Sequence, residues 1–155
     1  MTVELEVTGT RIHQSRIKLG YTWWLGEVGS RFYRELREHC RIWGLKCPEC
    51  GLVYVPPKAN CPKCFHRMNE WVELGDAGRL TTFTVVHYSV PLIQPQDPPF
   101  ALGIIRLDGA DTGFTHLLGE VDFHNIEVGM RVQAVFREKR VGNLLDIQYF
   151  KPVKK

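Results

Sequence analysis

A mainly β fold with one helix near its N-terminus is what this sequence predicts, and three observations predict it. An amphipathic run, RFYRELREHCRIW, occupies residues 31 to 43. Two Cys-Pro-x-Cys pairs, CPEC from Cys47 and CPKC from Cys61, follow with ten residues between them. Five β-rich runs separated by turn signals then fill the C-terminal half. The chain therefore divides into an N-terminal extension or arm (1–29), an amphipathic helix (30–45), a small ribbon (46–70) and a barrel (71–155).

Residues 2 to 7 alternate as Thr2, Val3, Glu4, Leu5, Glu6, Val7, the period of a strand, and Thr8-Gly9-Thr10 reads as the turn after it. Ile17, Leu19 and Tyr21 repeat the alternation before Trp23 and Trp24. So much aromatic surface, in a segment with no core of its own, is expected to pack against something. In the next run Phe32, Leu36, Cys40 and Trp43 fall at helical spacing on one face, with Arg31/Glu35 and Arg34/Glu38 as i,i+4 pairs. Ser30 is the expected N-cap and Gly44 the expected stop.

The cysteine segment carries the strongest chemical signal. A C-x-x-C pair bends the backbone around one face of a metal, and two such knuckles supply the tetrahedral sulfur set that zinc takes in closed structural sites. The expected ligands are Cys47, Cys50, Cys61 and Cys64, in a rubredoxin-like zinc ribbon. Pro48 and Pro62 pre-set the two turns, and Gly51 permits a positive φ after the first. Four thiolates leave the metal no open coordination position, so the clamp is expected to brace rather than react. Structural zinc supplies about 10–16 kcal/mol of apparent binding energy, ample to fold a ribbon with almost no apolar core. A disulfide or redox pair remains an alternative, as does a single iron, which colour in the purified protein would reveal.

The five runs are RLTTFTVVHY (79–88), FALGIIRL (100–107), GFTHLLGEV (113–121), MRVQAVFREK (130–139) and LLDIQYF (144–150). Pro91 to Pro99, Asp108-Gly109, Val128-Gly129 and Gly142-Asn143 separate them. Five strands at this spacing suit a small closed barrel, because closure removes exposed edges, and an OB-fold is the natural candidate. Such a barrel usually carries a helix between its third and fourth strands. Only DFHNIE is available here, room for a single turn, so the helix beginning near residue 31 is a possible substitute cover.

Composition narrows the function classes. The 155 residues, 44% hydrophobic and 24% charged, suit a globular protein, and no apolar run approaches the roughly 18 residues of a bilayer span. MTVELEVTGTRIHQ has neither a basic start nor a continuous apolar stretch, so no secretory signal is read and a cytosolic location is expected. A net charge of +3, spread without blocks, gives little support to nucleic-acid or membrane binding. Cys40 has the makings of a nucleophile, but its place on the apolar helix face argues for packing. The six histidines, His13, His39, His66, His87, His116 and His124, show no metal-protease spacing. His66 is an alternative ligand beside Cys64, although the thiolate set is complete without it. Arg137, Lys139, Arg140, Lys151, Lys154 and Lys155 form a local basic cluster that reads as a solvated rim. The loop SVPLIQPQDPPF (89–100) reads equally as a binding loop or a spacer.

In order, the aromatic-rich helix, CPECG, Pro56-Pro57, CPKC, WVELGDAGRLTTFTVVH, PPFALGIIRLD and VGMRVQAVF...QYFKP resemble one family over about residues 30 to 152. It is the zinc-ribbon/OB-fold family once catalogued as a domain of unknown function, whose members accompany thiolases and other acyl-CoA enzymes. The resemblance implies a non-catalytic accessory subunit with zinc on Cys47, Cys50, Cys61 and Cys64. It implies a hetero-oligomer with a thiolase-like chain, a heterotetramer among the arrangements, and a coenzyme A thioester bound by the complex. It also places a partner or acyl-CoA surface on Trp23, Trp24, Phe32, Tyr33, Leu36 and Trp43. Roles known in the family include the companion subunit of benzoylsuccinyl-CoA thiolase and partners of sterol side-chain aldolases and of archaeal acetoacetyl-CoA thiolase. No catalytic residue carries over. The competing reading is a single-stranded nucleic-acid-binding protein, for which the second and third barrel strands offer Arg106, Phe114 and His116 but no basic stripe.

Overall fold

The structure, a computed structural model, describes residues 6–7, 10–11, 22–89, 94 and 96–153. Several expectations lie outside those residues: the strand at 2–5, the turn residues Thr8 and Gly9, the alternation Ile17, Leu19 and Tyr21, His13, part of the proline-rich loop, and Lys154 and Lys155. At the N-terminus, β1 (Glu6–Val7) and β2 (Thr10–Arg11) pair antiparallel, with Val7 opposite Thr10.

The helix, α1, runs from Gly26 to His39 and so starts and ends earlier than its hydrophobic spacing indicated. Ser30 lies inside it rather than capping it; the N-cap is Leu25, which makes no side-chain capping bond. The stop is Cys40, in the left-handed region at φ 53°, and the amides of Cys40 and Arg41 both reach the Glu35 carbonyl. Trp43 and Gly44 consequently belong to β3 (Ile42–Lys46), not to the helix. Gly44 is required there by packing, since a Cβ would meet Val53 Cγ1 at 2.9 Å and the Tyr54 carbonyl at 3.0 Å. Arg31, expected to pair with Glu35, instead lies over the rings of Trp71 and Trp43, 4.3 and 5.5 Å from their centroids.

β3 is the middle strand of a three-stranded antiparallel sheet, flanked by β4 (Val53–Tyr54) and β5 (Glu70–Leu74). Pro56 and Pro57 follow β4 and cannot donate to a further ladder. Five strands then close a barrel: β6 (Ala77–Val86), β7 (Phe100–Leu107), β8 (Gly113–Leu118), β9 (Arg131–Phe136) and β10 (Ile147–Pro152). Their order around the barrel is β6-β7-β8-β10-β9, returning to β6, with every pair antiparallel except β8 and β10. The expected mainly β fold, a zinc-type ribbon followed by a five-stranded OB barrel, is thus the one observed. Residues 144–146, expected to open the last strand, form a 3-10 turn instead.

Between β8 and β9 there is one 3-10 turn, Phe123–Asn125, capped by Asp122. The cover comes from α1: Phe32 and Leu36 join the buried cluster of Leu80, Ile105, Phe114, Ile147 and Phe150. Val28, on the same helix, packs on a second and smaller cluster, that of the ribbon, which contains Leu45, Cys47, Tyr54, Cys61 and Met68. One helix therefore serves both cores.

Ribbon and barrel are also clasped directly. The turn between β7 and β8 extends the edge of β4: the Val53 amide donates to Asp111 Oδ2 at 2.8 Å and the Asp111 amide to the Val53 carbonyl at 3.0 Å. Thr112 Oγ1 accepts from the Val55 amide at 2.9 Å and donates to the Val55 carbonyl at 3.0 Å. The Val53 amide on the open edge of β4 and the Val55 amide just past it are thus satisfied by side chains of the other unit. Thr112→Val should cost about 1–3 kcal/mol, the range for stranding buried or part-buried polar groups. In hydrogen exchange the Val53 and Val55 amides should lose protection, while the β7 and β8 amides keep theirs.

Among the described residues two polar side chains are buried in the barrel, His116 and Asp146, and they differ in how well they are satisfied. Asp146 accepts from the amides of Val141, Gly142 and Asn143 at 2.9, 2.7 and 3.3 Å, closing the hairpin before β10. His116 lies between Phe114 and Phe150, its Nε2 3.1 Å from the Leu144 carbonyl. That contact makes Nε2 the protonated nitrogen, and Nδ1 has no hydrogen-bond partner among the described residues. Burial pushes the imidazole below its usual value, only partly opposed by the bond to Leu144. The unfolded chain thus takes up a proton below about pH 6.5 that the native state refuses, so stability is intact above that value and falls as pH drops toward the native pKa. Urea melts in excess zinc at about pH 7.5 and 5.5 should show this loss, with a slope no steeper than about 1.4 kcal/mol per pH unit. In His116→Leu that component of the slope should vanish.

Candidate metal centre

The two knuckles are built alike. In the first, the Gly51 amide donates to the Cys47 carbonyl at 3.0 Å and the Cys47 amide to the Leu52 carbonyl at 2.9 Å. In the second, Phe65 donates to Cys61 at 2.8 Å and Cys61 to His66 at 2.9 Å. Each loop must turn through a positive φ after its second cysteine, and Gly51 does so at 71° and Phe65 at 61°. A glycine is the cheap solution to that turn. The second knuckle uses a phenylalanine, a residue that is 82% exposed.

This folding brings four sulfur atoms together. Cys47, Cys50, Cys61 and Cys64 present Sγ atoms that all lie within 4.8 Å of one another, and Cys50 and Cys61 are 3.7 Å apart. A tetrahedron with zinc–sulfur bonds of about 2.3 Å has an edge of about 3.8 Å, so the cluster has the spacing a single ion requires. Cys47 and Cys61 are buried, and Cys50 and Cys64 are partly so. The hydroxyl of Tyr54, 3.4 Å from Cys61 Sγ, reaches the cluster from β4.

Protonation follows from the same geometry. Burial opposes ionisation of Cys61, but the Tyr54 hydroxyl and the amides of Cys64 and Lys63 outweigh it and hold the thiol at about 6. Burial and the neighbouring Cys50 push Cys64 up to about 12, and the bond to Cys61 raises Tyr54 above the usual phenol range. Four thiols this close cannot all ionise unaided. A divalent cation removes that conflict, which is the fit expected of a site built for one.

The other proposed site residues scatter. Phe32 and Leu36 are buried in the core, so they are unavailable as the partner or acyl-CoA surface the resemblance placed on them; the helix face that carries them is the one the barrel needs covered. Tyr33 packs partly against the same core, edge-to-face with Phe32 at 5.4 Å. Trp43, on β3, is half-buried beneath Arg31. Trp23 and Trp24 are 63% and 82% exposed. Trp24 and Leu25 line a concavity of about 510 Å³ with Pro57, Ala59 and Arg67. Cys40 caps the helix and is half-buried, and His66 is exposed beside the second knuckle. Phe114 and His116, named for the nucleic-acid alternative, are interior residues of the barrel and cannot stack on bases. The sequence reading missed Tyr54 and Phe65. Superposing CPECG on CPKCF would have exposed the second, since the two strings differ where the turn demands glycine.

Fold and cluster define a class: a sulfur-ligand zinc ribbon joined to an OB barrel. The sequence matches the family descriptions "ChsH2, rubredoxin-like zinc ribbon domain" over residues 34–68 and "ChsH2, C-terminal OB-fold domain" over residues 71–137. It is 32% identical over 128 residues to a DUF35 domain-containing scaffold protein of Methanocaldococcus jannaschii, covering 79% of this chain and 89% of that one. A protein of the same description from Pyrococcus furiosus is 31% identical over 111 residues, covering 72% and 79%. The chain belongs to the DUF35 family of zinc-ribbon/OB-fold proteins. Its fold is that of a chain of the Ltp2-ChsH2(DUF35) aldolase, with TM-score 0.59, 22% identity, and coverage of 79% of this chain and 93% of that one. It is also that of a DUF35 protein of unknown function from Sulfolobus solfataricus, with TM-score 0.56, 24% identity, and coverage of 71% and 78%. Among the described residues, no helix is long and apolar enough to cross a membrane.

Cys61→Ser should cut bound zinc, measured by elemental analysis, from about one ion per chain to a small fraction of that, consistent with a four-sulfur structural site. Limited proteolysis should then cleave between residues 47 and 68, with the barrel strands persisting by circular dichroism.

Proposed function

We propose that this chain is a non-catalytic accessory subunit of an acyl-CoA enzyme complex, a thiolytic or condensing one, and that Cys47, Cys50, Cys61 and Cys64 hold a structural zinc. The observation that carries this reading is the convergence of four sulfurs at tetrahedral spacing, in a chain whose relatives are described as scaffold proteins. A complete thiolate set braces the ribbon and leaves the ion no position for substrate. Bound zinc would neutralise the crowded thiolates and fix the two knuckles. Tyr54 would then donate its hydroxyl to a ligated sulfur, the kind of outer contact that steadies a metal site.

The partner, on this reading, is a separately encoded chain of thiolase or aldolase type that supplies the nucleophile and binds the coenzyme A thioester. The name of the Ltp2-ChsH2(DUF35) aldolase supports a pairing of this kind, and the exposed aromatics at Trp23, Trp24 and Phe65 support a docking role on the ribbon side. Large aromatics concentrate in the cores of protein interfaces, where a few of them carry most of the binding energy. Whether the complex degrades aromatic acids or other acyl groups is a matter of the partner's pocket. For this proposal the expected limits (arm 1–29, helix 30–45, ribbon 46–70, barrel 71–155) are adjusted so that the arm stops before α1 begins at Gly26, the ribbon includes β3 and β5 (Ile42–Lys46 and Glu70–Leu74), and the barrel starts with β6 at Ala77.

Co-expression with a thiolase-like chain encoded beside it should give a single heteromeric peak in size exclusion. Trp24→Ala combined with Phe65→Ala should weaken that complex about thirtyfold or more, the range of interface hot spots, without lowering the melting temperature of the isolated chain. Two separate peaks at about micromolar concentration, where stable complexes persist, would overturn the proposal.

A further inference from the structure

Three arginines stand side by side on the outside of the barrel. Arg79 on β6 lies directly opposite Arg106 on β7 and, on its other side, directly opposite Arg131 on β9. Residues directly opposite each other across antiparallel strands share a face with Cβ atoms about 4.5–5.5 Å apart, and like charges so placed destabilise a sheet. Two carboxylates relieve the outer members. Arg131 donates to both oxygens of Asp108, from Nη1 at 2.7 Å and through a shorter contact from Nη2. Arg106 lies 3.7 Å from Asp111 and donates from Nε to the Ala110 carbonyl at 3.3 Å.

Arg79, in the middle, has no carboxylate in direct ion-pair contact among the described residues, and Asp108 acts on it only at longer range. Arg79 donates from Nη1 to the Gly129 carbonyl at 3.3 Å. Its charge adds to the Arg131 hydrogen bond in holding the Asp108 carboxyl below the usual range, so the group is close enough to act on its neighbours. Arg79 and Arg106 line a concavity of about 450 Å³ whose other wall is the segment from Leu107 to Asp111, where the Asp108 and Asp111 carboxylates are taken up by Arg131 and Arg106 respectively. Three arginines against two aspartates leave one net positive charge, at the centre of the row.

We propose that this concavity is a binding site for the phosphate group of a small soluble phosphate ester or diphosphate, seated between Arg79 and Arg106. A guanidinium is a rigid fork of N–H donors matched to phosphate oxygens. Two forks brought together from neighbouring strands match the three-oxygen face of a phosphate better than the two oxygens of a carboxylate. The ligand supplies the anion that the sheet lacks, and the like-charge row becomes favourable once it is filled. The site is independent of the accessory-subunit reading: it stands on strand register and side-chain pairing within this chain.

The test is titration of the full, zinc-loaded chain with inorganic pyrophosphate, in sodium chloride adjusted to constant ionic strength. Melting temperature and the amide resonances of Gly109 and Ala110 are followed. Saturable shifts are expected, with acetate producing none. Arg79→Gln should lower the affinity about tenfold or more, an amount typical of losing a charge-assisted hydrogen bond. In chloride alone the same variant should fold and melt no lower than the parent, because a like charge has been removed from the row. Lys139→Gln, exposed and elsewhere on the barrel, should bind pyrophosphate as the parent does. Identical melting in pyrophosphate and chloride, or equal losses in Arg79→Gln and Lys139→Gln, would overturn the site. So would Arg79-dependent binding of a single-stranded oligonucleotide or of anionic vesicles tighter than that of pyrophosphate, which would assign the row to a macromolecular surface.

Discussion

The arrangement depends on how a ribbon with very little apolar core is fixed to a barrel with a full one. Four hydrogen bonds between the Val53–Val55 edge and the Asp111–Thr112 turn do this, each satisfying a backbone group or side chain that the short strand β4 would otherwise leave open. Single bonds of this kind are worth about 1 kcal/mol net, but leaving their partners stranded costs more. The geometry is therefore enforced both by the penalty for breaking these bonds and by apolar packing, since Ile42, Val53, Val55 and Leu74 of the ribbon sheet are buried in the same cluster as the barrel's core. Because Thr112 both accepts from and donates to Val55, rotation of the ribbon about this edge would break two bonds at once.

Helix α1 adds the second attachment. Its face is divided, with Val28 toward the ribbon cluster and Phe32 and Leu36 toward the barrel, while Arg31 spans the ribbon's two tryptophans. A helix shared in this way replaces the one that the barrel lacks between β8 and β9. It also explains why so amphipathic a segment leaves few of its apolar residues on the surface. Among the described residues the aromatic groups that do stay exposed are Trp23 and Trp24 before the helix, Phe65 at the tip of a knuckle and Tyr88 after β6.

The metal centre and the barrel surface divide the electrostatic work. At the ribbon, four thiols are crowded until only a cation reconciles their charges, and the Tyr54 hydroxyl favours ionisation of one of them. On the barrel the sign is reversed, with the Arg106, Arg79 and Arg131 row relieved only at its ends. Crowded like charges are costly to keep, so in both places the fold accepts repulsion that an ion of opposite charge would remove.

The sequence alone determined the fold class and the sulfur cluster, because those signals are local. C-x-x-C spacing sets a knuckle within a few residues, and alternation between turn residues sets a strand wherever it sits. Family membership was legible for the same reason, carried by short motifs in a fixed order. What the tertiary structure decided were the matters that need a second element. Ser30 was expected as a cap and Trp43 as a helix residue, but Cys40 turns left-handed and ends the helix early, which moves Trp43 into a sheet. Phe32 and Leu36 read as surface only until the barrel is present to take them. The clasp at Asp111 and Thr112, and the register that sets three arginines abreast, join positions tens of residues apart that no local period connects.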